Sequence, residues 1–346
     1  MAKRIVAIYD RGIDKNLMQG FDVLEKYGYE LTLVEKTVNE DELAYQNSML
    51  SVEVNGPDGT PINEEVFQHL DDAEIIITHF APVSRRMIEA AKNLKIIATL
   101  RTGMENINME AAKERGIKVI NAPGRAAVAV ADFTVAAMLC EIRNIARTDE
   151  DIKTGGWTKK YPNRTYSDNM CNLKVGLVGF GDIGRKIATR LKGFGTTILA
   201  YDPYCTKESI EAFGCVPVSL DELLEQADFV SLHVRLSPQT QNMFGAAEFA
   251  KRKPTAIFVN AARAGLVDEA AMIDALEQKK IGGAVLDVFR EEPLPVDHPL
   301  RKLKNVTLSA HLAGTDIGTF SGSIKIVADN LEQYFSGGEL KNVVNH

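Results

Sequence analysis

The stretch Leu173–Asp202, LKVGLVGFGDIGRKIATRLKGFGTTILAYD, constrains the fold of this chain more than any other. A short apolar run, Leu173 to Val178, ends in a glycine cluster, as a buried strand entering a tight turn does. The cluster Gly179-Phe180-Gly181-Asp182-Ile183-Gly184 has the spacing G-x-G-x-x-G. Ile183, Ile187, Leu191 and Phe194 then recur at helical spacing, and a second apolar run, Thr197 to Tyr201, ends on Asp202. Strand, helix and strand in that order require a parallel sheet with helices on its faces.

Each position in the turn has a physical job. Gly179 permits the sharp bend, Gly181 lets backbone approach a pyrophosphate, and Gly184 lets the helix sit close to the strand. The helix start at Asp182 and Ile183 offers unpaired N–H groups and the positive end of its dipole to phosphate. Asp202 stands where an acid accepts hydrogen bonds from an adenosine ribose. The stretch therefore reads as a dinucleotide site. The alternative is a doubly wound domain whose glycine turn holds nothing.

At 346 residues the chain has room for about two domains. Strands are expected at Arg4–Tyr9, Leu31–Val34, Glu74–His79, Lys95–Leu100 and Lys118–Ile120, with helices at Lys15–Lys26, Ser84–Lys92 and Met109–Arg115. Glu53–Asn63 reads as a loop or hairpin tip. Asn121-Ala122-Pro123-Gly124 is a hinge-like break, followed by a long helical stretch from Ala126 to Asp149 and a loop around Gly155-Gly156-Trp157. After Asp202 the alternation continues to about His311, and a last helix covers Asp316 to Phe335. The expected class is α/β, with two doubly wound parallel-sheet domains. Residues 1–121 with 316–346 would form a substrate domain and 122–315 the nucleotide domain, two lobes facing a cleft.

Composition narrows the partners. A net charge of −7 without a lysine/arginine block argues against nucleic acid. The N-terminus reads as an immediate strand, not a signal peptide, and the longest nearly apolar segment, Ala126–Cys140, contains Asp132 and is too short for a membrane. Cys140, Cys171, Cys205 and Cys215 form no C-x-x-C pair, which fits reduced thiols in the cytoplasm and no metal site.

Three later apolar runs end on residues that could carry chemistry. Phe258–Ala262 leads to Arg263, Ala284–Phe289 is followed by Glu292, and Val306–Ala310 ends at His311. In an open parallel sheet the carboxyl ends of strands line the ligand crevice. Hydride transfer needs a proton donor or acceptor at the substrate oxygen, and histidine titrates nearest neutrality. A neighbouring carboxylate favours the protonated ring, and arginine offers a planar fork to a substrate carboxylate. On residues alone, Arg263 could equally be a surface arginine, Glu292 a turn residue, and His311 a satisfied histidine. His233, ending another apolar run, is read as structural.

These segments resemble the D-isomer-specific 2-hydroxyacid dehydrogenase family along nearly the whole chain. The similarity is carried by GLVGFGDIGRKIATRLKGFGTTILAYDPY, VNAARAGLVDEAAMIDAL, AVLDVFREEPLP, NVTLSAHLAGTD and RTGMENINMEAAKERGIKVINAPG. The resemblance implies a Rossmann NAD-binding domain inserted in a flavodoxin-like substrate domain. It makes His311 the acid/base, Glu292 its carboxylate partner, and Arg263 the anchor of the substrate carboxylate and carbonyl. Cofactor contacts then fall on Gly179, Gly181, Asp182, Ile183, Gly184, Asp202, Val234, Arg235, Thr240, Ala261, Asp287 and Gly314. Substrate contacts fall on Arg101, Thr102 and Gly103, and dimerisation through the nucleotide domain is expected near the helix from Ala126 and Trp157.

Several positions depart from the family pattern. Ala310 replaces the usual proline, Ala264 a common glycine, and Asp132 the glutamate of a Val-Ala-Glu motif. Asn108 replaces an aspartate, and Arg235 replaces a frequent proline near the adenosine. Arg235 could soften NAD preference, whereas Asp202 would repel a 2′-phosphate, so NAD is the expected cofactor. The loop Phe80-Ala81-Pro82 lacks the basic residues of phosphoglycerate members, although Arg11, Arg101 or Arg125 could supply charge, and the chain's end at His346 leaves no room for their regulatory domain. The expected substrate is a small unphosphorylated 2-keto/2-hydroxy acid, hydroxypyruvate-like or a sugar acid. Alternatives are a D-3-phosphoglycerate dehydrogenase and an NAD(H)-sensing, corepressor-like binding protein. Glu292 argues against a formate-dehydrogenase-like enzyme.

Overall fold

The computed structural model describes residues 3–36, 51–52 and 55–345. Of the expected loop at Glu53–Asn63, the first two residues lie outside this set and the remainder is largely turn. The chain divides into two compact units, Met1–Arg125 with Asp316–His346, and Ala126–Thr315.

The first unit is built on five strands: β1 (Lys3–Tyr9), β2 (Tyr29–Glu35), β3 (Ala73–Thr78), β4 (Ile96–Thr99) and β5 (Lys118–Ile120). All pair in parallel, in the order β2-β1-β3-β4-β5. Their Ile/Val/Ala-rich segments are buried on both faces, as a helix-covered parallel sheet requires. The order reverses between β1 and β3, so their carboxyl ends flank the topological switch point. The expected helix over Lys15–Lys26 is α-helical only at Lys15–Met18 and continues as tighter 3-10 turns over Gln19–Tyr27. Gly20 stands at the change: a Cβ there would stand 2.6 Å from Ile324 Cγ2, so this segment packs too closely on Ile324 for a side chain, and glycine supports an α-helical ladder poorly. Asn108 accepts a hydrogen bond from Ala111 N and caps the helix Met109–Glu114, a role aspartate fills equally well.

The second unit has seven parallel strands: β6 (Lys174–Val178), β7 (Thr197–Tyr201), β8 (Val216–Pro217), β9 (Phe229–Leu232), β10 (Ile257–Asn260), β11 (Gly283–Leu286) and β12 (Val306–Leu308). Their order, β12-β11-β10-β9-β6-β7-β8, is the doubly wound Rossmann order with one strand added at an edge. Apolar clusters cover both faces. The long helix expected from Ala126 to Asp149 is two helices, Ala127–Ile142 and Ile145–Lys153. Between them Asn144 adopts φ 57°, a left-handed conformation that asparagine tolerates, and donates to Asn163 Oδ1 at 2.7 Å. Phe194 lies past the end of the helix Asp182–Lys192 and is exposed, so that helix's apolar stripe stops at Leu191.

Candidate active site

The glycine turn between β6 and the helix Asp182–Lys192 is shaped by close approaches. Gly179 has φ 97°, and a Cβ there would meet His233 O at 2.6 Å and Val234 Cγ1 at 3.0 Å. At Gly184 a Cβ would stand 2.5 Å from Gly179 O, which is the tight helix–strand contact expected of the third glycine. Gly181 is different: it is the N-cap of the helix, gives no side-chain cap, and has no neighbour within 4 Å of where its Cβ would stand. Open space over uncapped N–H groups fits a pyrophosphate. Ile183 packs on the sheet, while Asp182 bonds Lys186 Nζ at 2.7 Å.

At the end of β7, Asp202 accepts from Phe180 N through Oδ2 (2.7 Å) and from Tyr204 N through Oδ1 (2.8 Å). The carboxylate is thus oriented beside the turn. Thr240 closes the loop after β9 by donating to Arg235 O at 2.6 Å and accepting from Ser237 N at 2.8 Å; Arg235 itself is exposed. His233 is half-buried, and its Nε2 lies 2.8 Å from Ser231 Oγ. Burial pushes its pKa down to about 3, so it stays neutral.

Arg263, Glu292 and His311 follow β10, β11 and β12, whose carboxyl ends lie side by side. His311 Nδ1 lies 2.8 Å from Glu292 Oε2, and Glu292 Oε1 accepts from Phe289 N at 2.9 Å. The hydrogen bond to Glu292 raises the His311 pKa above the ordinary 6.5 against the effect of burial; the charges of Glu292 and Asp287 add to it and Arg263 opposes it. Burial alone would raise Glu292, but the His311 bond, the Phe289 N–H and the charges of His311 and Arg263 outweigh it, so its carboxyl sits below the ordinary 4.5. Arg263 therefore acts electrostatically on both members of the pair.

His311 has φ 54°, unusual for a residue with a side chain, and such strain needs a brace. Asp287, fully buried, supplies it: its carboxylate accepts from Ser309 Oγ (2.6 Å), Leu312 N (2.9 Å) and Ala313 N (2.8 Å), on both sides of the histidine. Asn260 does the same for the arginine, accepting from Ala262 N and donating to Arg263 O, each at 3.0 Å. Asn260 and Ser309 were absent from the residues expected to matter. Ala261 leads from β10 into this turn, and Gly314 packs 3.4 Å from Ala126 Cβ, measured from where its own Cβ would stand. Asp132 pairs with Arg190.

A profile described as "D-isomer specific 2-hydroxyacid dehydrogenase, NAD binding domain" matches residues 135–313. A glyoxylate reductase of Korarchaeum cryptofilum is 36% identical over 287 residues, covering 82% of this chain and 86% of the relative. The chain belongs to the D-isomer specific 2-hydroxyacid dehydrogenase family. Its second unit is that family's NAD-binding domain, and NAD is the cofactor the site takes. A D-3-phosphoglycerate dehydrogenase of Methanocaldococcus jannaschii is 39% identical over 284 residues, which is 82% of this chain but 53% of the relative. The chain thus spans about half the length of that relative. The apo-structure of Escherichia coli D-lactate dehydrogenase superposes with a TM-score of 0.72 at 26% identity, covering 98% of this chain and 99% of that one.

The remaining expected contacts, Arg101, Thr102 and Gly103, lie in the first unit, just after β4. Arg101 is buried, with its guanidinium 4.2 Å from the Phe80 ring centroid. Thr102 O accepts from Asn121 Nδ2 at 2.7 Å, and Thr102 Oγ1 donates to Ala122 O at 3.3 Å, which ties this loop to the end of β5.

Proposed function

We propose that the chain is an NAD-dependent oxidoreductase that passes a hydride between nicotinamide and C2 of a small 2-keto/2-hydroxy acid, the D-isomer on the hydroxy side. The reading is carried by the His311–Glu292 bond of 2.8 Å with Arg263 acting on both partners. In carbonyl reduction His311 donates its proton to the substrate oxygen as the hydride arrives at carbon. Glu292 keeps that proton on the ring near neutrality, and Arg263 pairs with the substrate carboxylate and draws charge toward the carbonyl oxygen. Thr102 and Gly103 are the first unit's proposed substrate contacts through their backbone N–H groups, and Asp202 takes the adenosine ribose hydroxyls.

The substrate in this reading is unphosphorylated, hydroxypyruvate-like or a sugar acid. Arg85 and Arg86, the basic residues that follow the loop after β3 in the sequence, are both committed elsewhere, while Arg101 lies against Phe80 of that loop. Arg85 Nη1 bonds Glu114 at 2.6 Å, and Arg86 reaches Glu64 through two bonds of 2.6 Å. A phosphate that used Arg85 or Arg86 would have to compete with those carboxylates. The protein is read as a cytoplasmic homodimer: all four cysteines are free, and Trp157, 80% exposed, offers an apolar contact on the NAD-binding unit. No helix among the described residues is long and apolar enough to cross a membrane.

A panel of 2-keto acids, phosphohydroxypyruvate included, with NADH and then NADPH tests the reading by absorbance. Turnover of unphosphorylated acids with NADH, abolished by His311→Ala, is expected. Tight NADH binding without turnover of any acid would replace the enzyme with a sensor, and preference for the phosphorylated acid would make it a phosphoglycerate-type dehydrogenase.

A further inference from the structure

The second sheet reverses its order between β6 and β9, so the carboxyl ends of these two neighbours flank its ligand crevice. The glycine turn follows β6, and His233 follows β9. The two segments touch: His233 N donates to Val178 O at 2.7 Å, and a Cβ on Gly179 would stand 2.6 Å from His233 O. Side chains alternate along a strand, and the 2.8 Å bond between Ser231 Oγ and His233 Nε2 keeps the imidazole on the face that Ser231 shares with Phe229. Phe229 belongs to the apolar cluster that holds Ile187, Ala188 and Leu191 of the helix Asp182–Lys192. The ring thus stands at the carboxyl edge of the sheet, on the side of the helix whose N-terminus offers N–H groups to a pyrophosphate.

The place of the ring hydrogen follows from its partner. Ser231 is fully buried, and a buried hydroxyl hydrogen needs an acceptor. His233 Nε2 is the acceptor it reaches among the described residues. Burial keeps the ring neutral, so with Nε2 accepting, the hydrogen sits on Nδ1. That nitrogen has no hydrogen-bond partner among the described residues and is not sealed from solvent. A serine–histidine pair that served packing alone could be replaced by two apolar side chains at almost no loss of stability. Fixing one ring nitrogen through a buried partner orients the other, which is how a histidine is prepared for a ligand.

We propose that His233 is a cofactor ligand whose Nδ1–H donates to a pyrophosphate oxygen of NAD, with Ser231 as the positioning residue that holds its tautomer. The inference stands on the cofactor alone and is independent of which acid is reduced. A neutral donor suits the place, because it adds a charge-assisted bond to the anion without burying a second full charge.

The test is the NADH affinity of the wild type and three variants by fluorescence quenching, with melting temperatures of the proteins without cofactor alongside. His233→Phe, which fills the volume without a donor, should weaken NADH about tenfold. His233→Asn also loses the bond to Ser231 but keeps an N–H near the Nδ1 position, so it should recover most of that affinity. Both variants leave the Ser231 hydroxyl without its acceptor and should lower the melting temperature alike. Equal losses of NADH affinity in the two would assign the effect to structure and overturn the inference. Ser231→Ala, which frees the tautomer, should weaken NADH by a smaller factor than His233→Phe. Competition with ADP-ribose and ADP locates the contact: both carry the pyrophosphate, so both should show the full His233→Phe loss. A loss confined to NADH, or seen with ADP-ribose but not with ADP, would place the contact on the nicotinamide or its ribose and refute the assignment. If His233→Phe fails to fold, nitrogen NMR of the wild type decides. Hydrogen on Nδ1 with a signal that shifts on adding ADP supports the inference; hydrogen on Nε2, or an Nδ1 signal that ignores ADP, refutes it.

Discussion

Replacing Glu292 by Gln isolates the contribution of one negative charge to the proton-transfer step. The amide is isosteric, so packing beside Phe289 and the following turn is preserved. Glu292 Oε1 accepts from Phe289 N, and an amide oxygen can keep that bond. The amide nitrogen then faces His311 Nδ1, which must become an acceptor, and the ring is favoured as a neutral imidazole with its hydrogen on Nε2. A hydrogen bond to a charged partner contributes about 1.5–3 kcal/mol. With the His311 side chain 50% exposed and that of Glu292 26%, solvent screening places this pair at the lower end, about 1.5 kcal/mol. That amount corresponds to roughly a tenfold loss in kcat for carbonyl reduction near neutral pH.

The sign follows from the raised pKa of His311. Reduction needs the protonated ring, so its rate is full below that pKa and falls as pH rises through it. Without the carboxylate the pKa drops, and the alkaline limb of kcat moves to lower pH. Oxidation of the hydroxy acid needs the neutral ring and should lose less at neutral pH, because the substitution favours that form. Steady-state profiles in both directions, with NADH affinity measured in parallel, read all three effects. Equal losses in the two directions with unmoved limbs would refute the reasoning, because Glu292 would then act through shape and not through charge.

Three further outcomes follow from the geometry. Gly181→Ala should leave the melting temperature nearly unchanged, because open space surrounds its Cβ position, yet weaken NADH binding about tenfold; Gly179→Ala, 2.6 Å from His233 O at φ 97°, should lower the melting temperature as well. Arg252→Met should raise the unfolding free energy by about 1–3 kcal/mol in chemical denaturation: the residue is 5% exposed, its guanidinium has no hydrogen-bond partner among the described residues, faces the Phe258 ring at 5.4 Å, and is pushed down by burial to about 9. Trp157→Glu should convert a dimer to a monomer in light scattering without changing the circular dichroism spectrum, and a wild-type monomer would remove the basis for that expectation.

How much of this was legible in the sequence depended on whether partners lie near one another along the chain. The glycine turn was legible because its strand, turn, helix and acid are contiguous, and both sheets followed from the alternation of apolar runs. The break at Asn144 was not, because its cause is Asn163, a buried partner supplied by the loop beyond the second helix. Arg252 sits in the run Lys251-Arg252-Lys253, which reads as a solvated turn until β10 places Phe258 against it. Nor does Asp10 point to His79, its hydrogen-bond partner 69 positions away. These distant partners nonetheless share a local mark. Asp10, His79, Asp202, His233, Asp287 and Ser309 each stand one residue past the carboxyl end of a strand, and Asn260 is the last residue of its own. In a parallel sheet those ends lie side by side, so a polar residue that terminates an apolar run meets another such residue from a neighbouring strand. Read in isolation, each is an ordinary strand exit. Read as a set, they mark the face of each sheet where charge is assembled, and His233 with Ser231 shows that the mark includes a residue held by a partner on its own strand.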